Sequence, residues 1–330
     1  MSLQTASAAF SVHDPAFEAV LGERPRLELV VETEAHEGPC YSSEEDALYF
    51  TTPPGRGPDG APRVDIRRLA LDGERFPVEP DSVSPVREDA NAANGMTLDA
   101  EGRLVVCEQG SRSRPAALAR VDRTTGSAET LVDGVQGARL NSPNDVIVRG
   151  DGSIWFTDPS YGFLQGFRPE PQVPDRVYRH EPERGELAVV ADGFDKPNGL
   201  AFSPDERVLY VGDSGANQEP GSHHPDRPHH IEAFDVVEGP RLENRRRLAV
   251  IDPGFPDGIK VDSAGRIYSS SASGVQVFGP GGEPLGEIRL PGAVNFTFGG
   301  PGRNVLYITA DDAIWAAVLG ACGPATAKGG

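Results

Sequence analysis

The stretch NDVIVRGDGSIWFTDP (144–159) contains the pattern on which the whole chain is built. A polar head residue, Asn144, is followed by a short apolar run, a turn rich in Gly and Asp, and a second β-type run. Two such runs flanking a tight polar turn are a β-hairpin signal. The same arrangement recurs as EGPCYSSEEDALYFTT (37–52), NGMTLDAEGRLVVCEQ (94–109), NGLAFSPDERVLYVGDS (198–214), DGIKVDSAGRIYSSS (257–271) and VNFTFGGPGRNVLYIT (294–309). The heads are therefore Glu37, Asn94, Asn144, Asn198, Asp257 and Val294, spaced 57, 50, 54, 59 and 37 residues apart.

Behind each hairpin lies further strand-like sequence, such as VDIRRLALD (64–72) and RVYRHEPERG (176–185), and commonly a last short run such as ELAVVADG (186–193). Four strands per unit and six units at this period predict an all-β fold, a six-bladed β-propeller of antiparallel blades. A β-sandwich gives no reason for six equivalent units, and β-helix coils are much shorter. The innermost strand of each blade should start at its head. LELVVETEAH (27–36) should join the last blade and close the ring. The 330 residues then form one domain, with about 1–12 and 320–330 loosely ordered.

The composition agrees. The 39 glycines and 30 prolines follow no collagen period and read as turns. A net charge of −19 spread along the chain argues against nucleic acid or an anionic membrane as partner. Cys40, Cys107 and Cys322 show neither paired spacing nor a CxxC motif, so neither a disulfide framework nor a zinc site is expected. The start lacks the basic and apolar regions of a signal peptide, and no apolar run approaches a membrane span. The expected compartment is the cytoplasm.

Five of the six heads carry side-chain oxygen, and a symmetric ring brings them to one place. Glu37, Asn144, Asn198 and Asp257 offer two carboxylates and two amides, a donor set suited to a hard divalent cation held in the axis. Calcium fits best, and magnesium or manganese can occupy the same oxygens. Asn94 can serve as a ligand through water, as a substrate donor or as support, and Val294 leaves a gap. Insertions at SYGFLQGFRPEPQVPD (160–175) and GANQEPGSHHPDRPHH (215–230) follow the second strand of blades three and four, so both should overhang the heads as a lid.

The motifs EGP (37–39), LNSPNDV (140–146), WFTDPSYG (155–162), KPNGLAFSPDE (196–206) and PDGIKVDSAG (256–265) resemble the gluconolactonase/regucalcin (senescence marker protein) family from about residue 25 to 318. LNSPND, DPSYG and CEQG (107–110) resemble its bacterial gluconolactonase branch. The resemblance implies a propeller with a central divalent metal, calcium or zinc, that hydrolyses lactones. It implies Glu37, Asn198 and Asp257 as metal ligands and Asn144 as ligand or substrate contact. Animal members carry Arg two positions before the ND asparagine, where this chain has Ser142. Diisopropylfluorophosphatase and the paraoxonases share the architecture and the ligand set.

The expected reaction is hydrolysis of a small-molecule lactone, a sugar lactone such as gluconolactone, with the metal polarising the carbonyl and a carboxylate assisting water. Asp257 is the expected base. Asp213, at the end of LYVGDS, and Asp158, in FTDPS, are further acids expected to return to the mouth. Asn94, Asn144, Glu108 and Tyr161 are expected at the substrate, with Phe163 as a second aromatic wall. His223, His224, His229 and His230 lie in a Pro-rich loop and read as loop rather than metal tract. The alternatives are a phosphotriester or aryl ester hydrolase of the same architecture, and a calcium-binding propeller without turnover.

Overall fold

The structure is a computed structural model that describes residues 9–57, 60–219, 221–237 and 241–325. Six larger antiparallel sheets follow one another in chain order, each of four strands except the fifth, which a strand near the N-terminus extends to five; two short two-stranded hairpins, Gly55–Arg56 with Pro62–Arg63 and Gly134–Val135 with Ala138–Arg139, stand beside them. Blade one is Cys40–Ser42, Ala47–Thr51, Ile66–Ala70 and Val83–Arg87. Blade three is Val146–Val148, Ile154–Asp158, Arg176–Glu181 and Glu186–Ala191. Blades two and four repeat the order from Ala93–Leu98 and Pro197–Phe202, as expected from their heads.

The ring closes as the sequence predicts. Arg26–Ala35 pairs antiparallel with Asp311–Val318, the third strand of blade six, so the first long strand of the chain completes the last blade. Such a closure removes the free sheet edges of an open array. Phe10–Val12, assigned above to a loosely held start, forms a fifth strand on blade five beside Pro284–Arg289. At the other end, the amides of Gly320 and Ala321 donate to Val20 O at 2.9 and 3.0 Å, which anchors the beginning of the expected loose tail. The remaining terminal residues, 1–8 and 326–330, lie outside the described residues.

The core is divided among the blade interfaces. One apolar cluster lies between each pair of neighbouring blades, for example Leu48, Phe50, Tyr307 and Ile314 between blades six and one, and Trp155, Leu200, Leu209 and Phe234 between three and four. Second strands such as Ala47–Thr51 and Ile154–Asp158 are buried at every position because each faces a neighbour on both sides. Cys40 and Cys107 are free, buried thiols of these interfaces. No helix among the described residues is long and apolar enough to cross a membrane.

Candidate functional site

The residue after most heads explains how the inner strands meet. A Cβ on Gly38 would lie 2.6 Å from Asn94 O, on Gly95 2.5 Å from Asn144 O, and on Gly199 2.1 Å from Asp257 O. The NG and DG pairs are thus close-approach positions, where a side chain would collide with the next blade. The amides of Gly95 and Gly199 donate to Asn144 O and Asp257 O at 2.7 and 3.0 Å, linking head to head around the axis. Thr157 Oγ1 donates to Asn198 O at 2.9 Å, and Thr309 Oγ1 to His36 O at 2.6 Å, so second-strand threonines brace the next blade's inner strand.

Glu37, Asn94, Asn144, Asn198 and Asp257 all line one cavity of about 530 Å³ at the mouth of the ring. Val294, the expected gap, makes no side-chain contribution, but the next residue does. Asn295 Nδ2 donates to Glu37 Oε2 at 2.7 Å, and the Gly38 amide donates to the same oxygen at 3.0 Å. Blade six therefore orients a ligand-type carboxylate from beneath. The signal was present in the sequence: Gly follows four of the heads, and only Asp145 and Asn295 break that rule.

Burial pushes the Glu37 carboxyl above its ordinary value, and burial together with the charge of Glu37 pushes Asp257 well above its own. Two acids in one buried ring favour a compensating cation. Beside them, His36 Nδ1 lies 2.6 Å from Asp311 Oδ1. Burial pulls this imidazole down, but the Asp311 hydrogen bond and the charges of Glu37, Asp311 and Asp257 outweigh it and leave the His36 pKa raised. Asp311 holds a left-handed φ of 56° to make that contact. Both residues line the cavity. Sequence reading missed the pair because the partners are 275 positions apart and lie outside the repeat unit.

The lid expectation holds for both insertions. Tyr161, Gln165 and Phe167 of the first line the cavity, as do Asn217, Gly221 and Ser222 of the second. A third wall was not expected: Thr52, Pro54 and Pro62 arrive from the corresponding loop of blade one. Phe163 faces outward at 44% exposure, and Phe167 takes its place at the cavity. Tyr161 is buried, and its hydroxyl donates to Ser214 O at 3.4 Å. Three of the four loop histidines go separate ways: His224 reaches Glu219 and His230 reaches Glu232, while His229 bonds the Arg227 carbonyl.

The acids at the ends of the second strands lie apart from the ring. Asp213 accepts from the amides of Lys196 and Asp195 at 2.8 and 3.0 Å. Asp158 accepts from the Asn141 amide at 2.9 Å, and Glu108 accepts from Asn91 Nδ2 at 2.7 Å and from Arg87 Nη1 at 2.5 Å. Each acid ties down the loop that precedes its own blade's head. Each partner, Lys196, Asn141 or Asn91, stands seventeen positions upstream. None of the three acids lines the cavity, so Asp213, Asp158 and Glu108 hold the scaffold of the mouth and do not reach into it. A side chain at a strand end has two directions open to it, and the repeat alone does not say which one is taken.

The donor set fits a divalent cation bound by oxygen. Asn94 Oδ1 is buried with no partner among the described residues, an unsatisfied acceptor beside the two acids. No cluster of three His, Cys, Asp or Glu side chains suited to a metal occurs among the described residues, so amides must complete any coordination at the ring.

Fold and site together place the chain among the six-bladed β-propellers whose axial ring presents acids and amides to a mouth cavity. Within that class it belongs to the SMP-30/Gluconolactonase/LRE-like family, whose model matches residues 35–312 and so spans all six heads. A gluconolactonase of Zymomonas mobilis is 30% identical over 318 residues, covering 90% of this chain and 82% of that protein. The lactonohydrolase oryL of Aspergillus oryzae is 30% identical over 315 residues, covering 88% of this chain and 70% of that protein. The structure of a Xanthomonas campestris gluconolactonase superposes with a TM-score of 0.78 at 34% identity, covering 94% of this chain and 95% of that one.

Proposed function

We propose that this protein is a lactonase that opens a sugar lactone of the gluconolactone kind, with a divalent cation, calcium, held by Glu37, Asn144, Asn198 and Asp257. The observation that carries the reading is the convergence of these four side chains on one cavity, in a chain of this family. When bound, such a cation supplies Lewis-acid polarisation of the ester carbonyl and acidifies water.

The remaining chemistry belongs to the chain. Asn295 and the Gly38 amide fix the Glu37 carboxylate, leaving it as a ligand rather than a mobile base. Asp257 Oδ takes the proton of the attacking water as its oxygen adds to the lactone carbonyl carbon. The ring C–O bond then breaks, and the proton passes from Asp257 to the departing ring oxygen, giving the open hydroxy acid. Asn94, Gln109, Gln165, Asn217 and Ser222 provide hydrogen bonds for hydroxyl groups, while Tyr161, Phe167 and Phe255 cover the apolar ring faces.

The test is hydrolysis of a panel of sugar lactones, aryl esters and phosphotriesters by the purified protein, with calcium and after chelation. Sugar-lactone turnover that chelation abolishes and calcium restores is expected, together with its loss in Asp257→Asn. Turnover of phosphotriesters or aryl esters alone, or chelation that lowers only the melting temperature, rejects the proposal.

A further inference from the structure

Arg168 is buried at 3% exposure, and its hydrogen-bond partners among the described residues are all backbone carbonyls. Its guanidinium is spent on backbone carbonyls. Nε donates to Asn141 O at 2.9 Å, Nη2 to Leu140 O at 3.0 Å, and Nη1 to Ser111 O at 2.7 Å and Arg114 O at 3.1 Å. Three separate segments meet on this one side chain: the loop after blade two's second strand, the approach to head Asn144, and the 160–175 insertion that carries it. Burial pulls the guanidinium pKa below its ordinary value, which marks the desolvation that the arrangement tolerates.

The surroundings are shaped to admit it. A Cβ on Gly162 would lie 2.2 Å from Arg168 Cγ and 3.0 Å from Phe167 Cε2. The Gly162 carbonyl accepts from the amides of both Phe167 and Arg168, at 3.0 and 2.9 Å. Ser142 Oγ accepts from the Gly162 amide at 2.9 Å and donates to Pro159 O at 2.6 Å, so Ser142 secures the same insertion. From the other side, Arg112 Nη2 donates to Gly166 O at 3.1 Å. Gln165 and Phe167, two of the three cavity-lining residues of this insertion, sit inside the clamped segment.

We propose that Arg168 is a positioning residue for substrate recognition: its carbonyl clamp turns the 160–175 insertion from a lid into a preformed wall and sets Phe167 against the bound lactone. The inference rests on reading the mouth cavity as the lactone site. A fork with fixed geometry is required, because one ammonium cannot satisfy four carbonyls arranged around a plane. Arg168→Lys should therefore release the wall while keeping the charge.

The calcium-loaded full chain is assayed with gluconolactone as wild type, Phe167→Ala, Arg168→Lys and the double variant. Phe167→Ala is expected to lower kcat/KM about ten-fold or more through KM, the scale of a lost apolar contact in a pocket. Arg168→Lys is expected to raise KM with kcat nearly unchanged. In that background Phe167→Ala should cost less than about two-fold, because the contact is already lost. Gly162→Ala, which displaces the arginine without removing a donor, should reproduce the KM rise and serves if Arg168→Lys fails to fold. Equal costs of Phe167→Ala in both backgrounds, or a wild-type KM in the Arg168→Lys or Gly162→Ala variant, overturns the inference. A wild-type KM in Phe167→Ala refutes the cavity as the lactone site, and the inference falls with it.

Discussion

Asp158 gives the sharpest physical test of how the mouth is built, because its carboxyl is turned into the scaffold and its energetics follow from its surroundings. Its carboxyl is fully enclosed, one oxygen takes the Asn141 amide, and Oδ1 has no partner among the described residues. Burial first, and then the charge of Asp175, push its pKa to about 7 against the ordinary 3.8, despite hydrogen bonds from the Asn141 and Ser142 amides and the charge of Arg168. The folded chain thus holds this proton more tightly than the unfolded chain. The stability it contributes is fully present below about pH 4 and is lost as pH rises through about 7. The difference between 3.8 and about 7 corresponds to about 4 kcal/mol at full ionisation, using ~1.4 kcal/mol for each pKa unit.

Asp158→Asn keeps an acceptor for the Asn141 amide and removes the ionisation. Urea unfolding of wild type and variant at constant saturating calcium, at intervals from pH 4.5 to 8.5, gives the difference in stability directly. The variant should gain on wild type steadily as pH rises, by about 3 kcal/mol between pH 4.5 and 8.5, since about 1 kcal/mol of the full difference accrues below pH 4.5, with most of the change below about pH 7. A difference that stays constant with pH, or a variant that loses stability toward pH 8.5, refutes the reasoning. Either result would mean that the carboxylate is charged and satisfied in the folded chain.

Three further expectations follow from the ring and its surroundings. Calcium at about a hundred times its dissociation constant should raise the unfolding free energy by about 2.7 kcal/mol, and Glu37→Gln should largely remove that increment; calorimetry with and without calcium reads both. Anionic sugar lactones, carrying phosphate or carboxylate, should show kcat/KM about ten-fold or more below their neutral counterparts, measured at low ionic strength. No Arg or Lys among the described residues lines the cavity and the chain carries a net charge of −19, so once the cation is spent on Glu37 and Asp257 no side chain of the mouth pairs an added anionic group. Asp213→Asn should lower stability by about 1–3 kcal/mol while leaving kcat within a few-fold, since its carboxylate serves two backbone amides; a loss of kcat with stability intact would restore it to the reaction.

The propeller was legible because its signal is repeated: six hairpins with a polar head need only the assumption of symmetry to yield blades, an axis and a ring of oxygens. That symmetry alone brings Glu37, Asn144, Asn198 and Asp257 to one cavity and the two insertions to its rim. Where the units differ, the reading lost its footing. Glu108, expected at the substrate, and Asp158 and Asp213, expected as further acids, share one repeat position, yet each folds back onto its own blade's approach loop. His36, Asp311, Asn295 and Arg168 were missed for the complementary reason: none occupies a repeated slot, and each acquires meaning only through a partner brought near by closure of the ring or folding of a loop. Symmetry therefore identifies the part of the site that the fold supplies to every such ring. The asymmetric residues around it bear on which substrate the ring receives, and for that reason the choice of lactone should respond to Arg168 and Phe167 while the capacity to hold a cation should respond to Glu37 and Asp257.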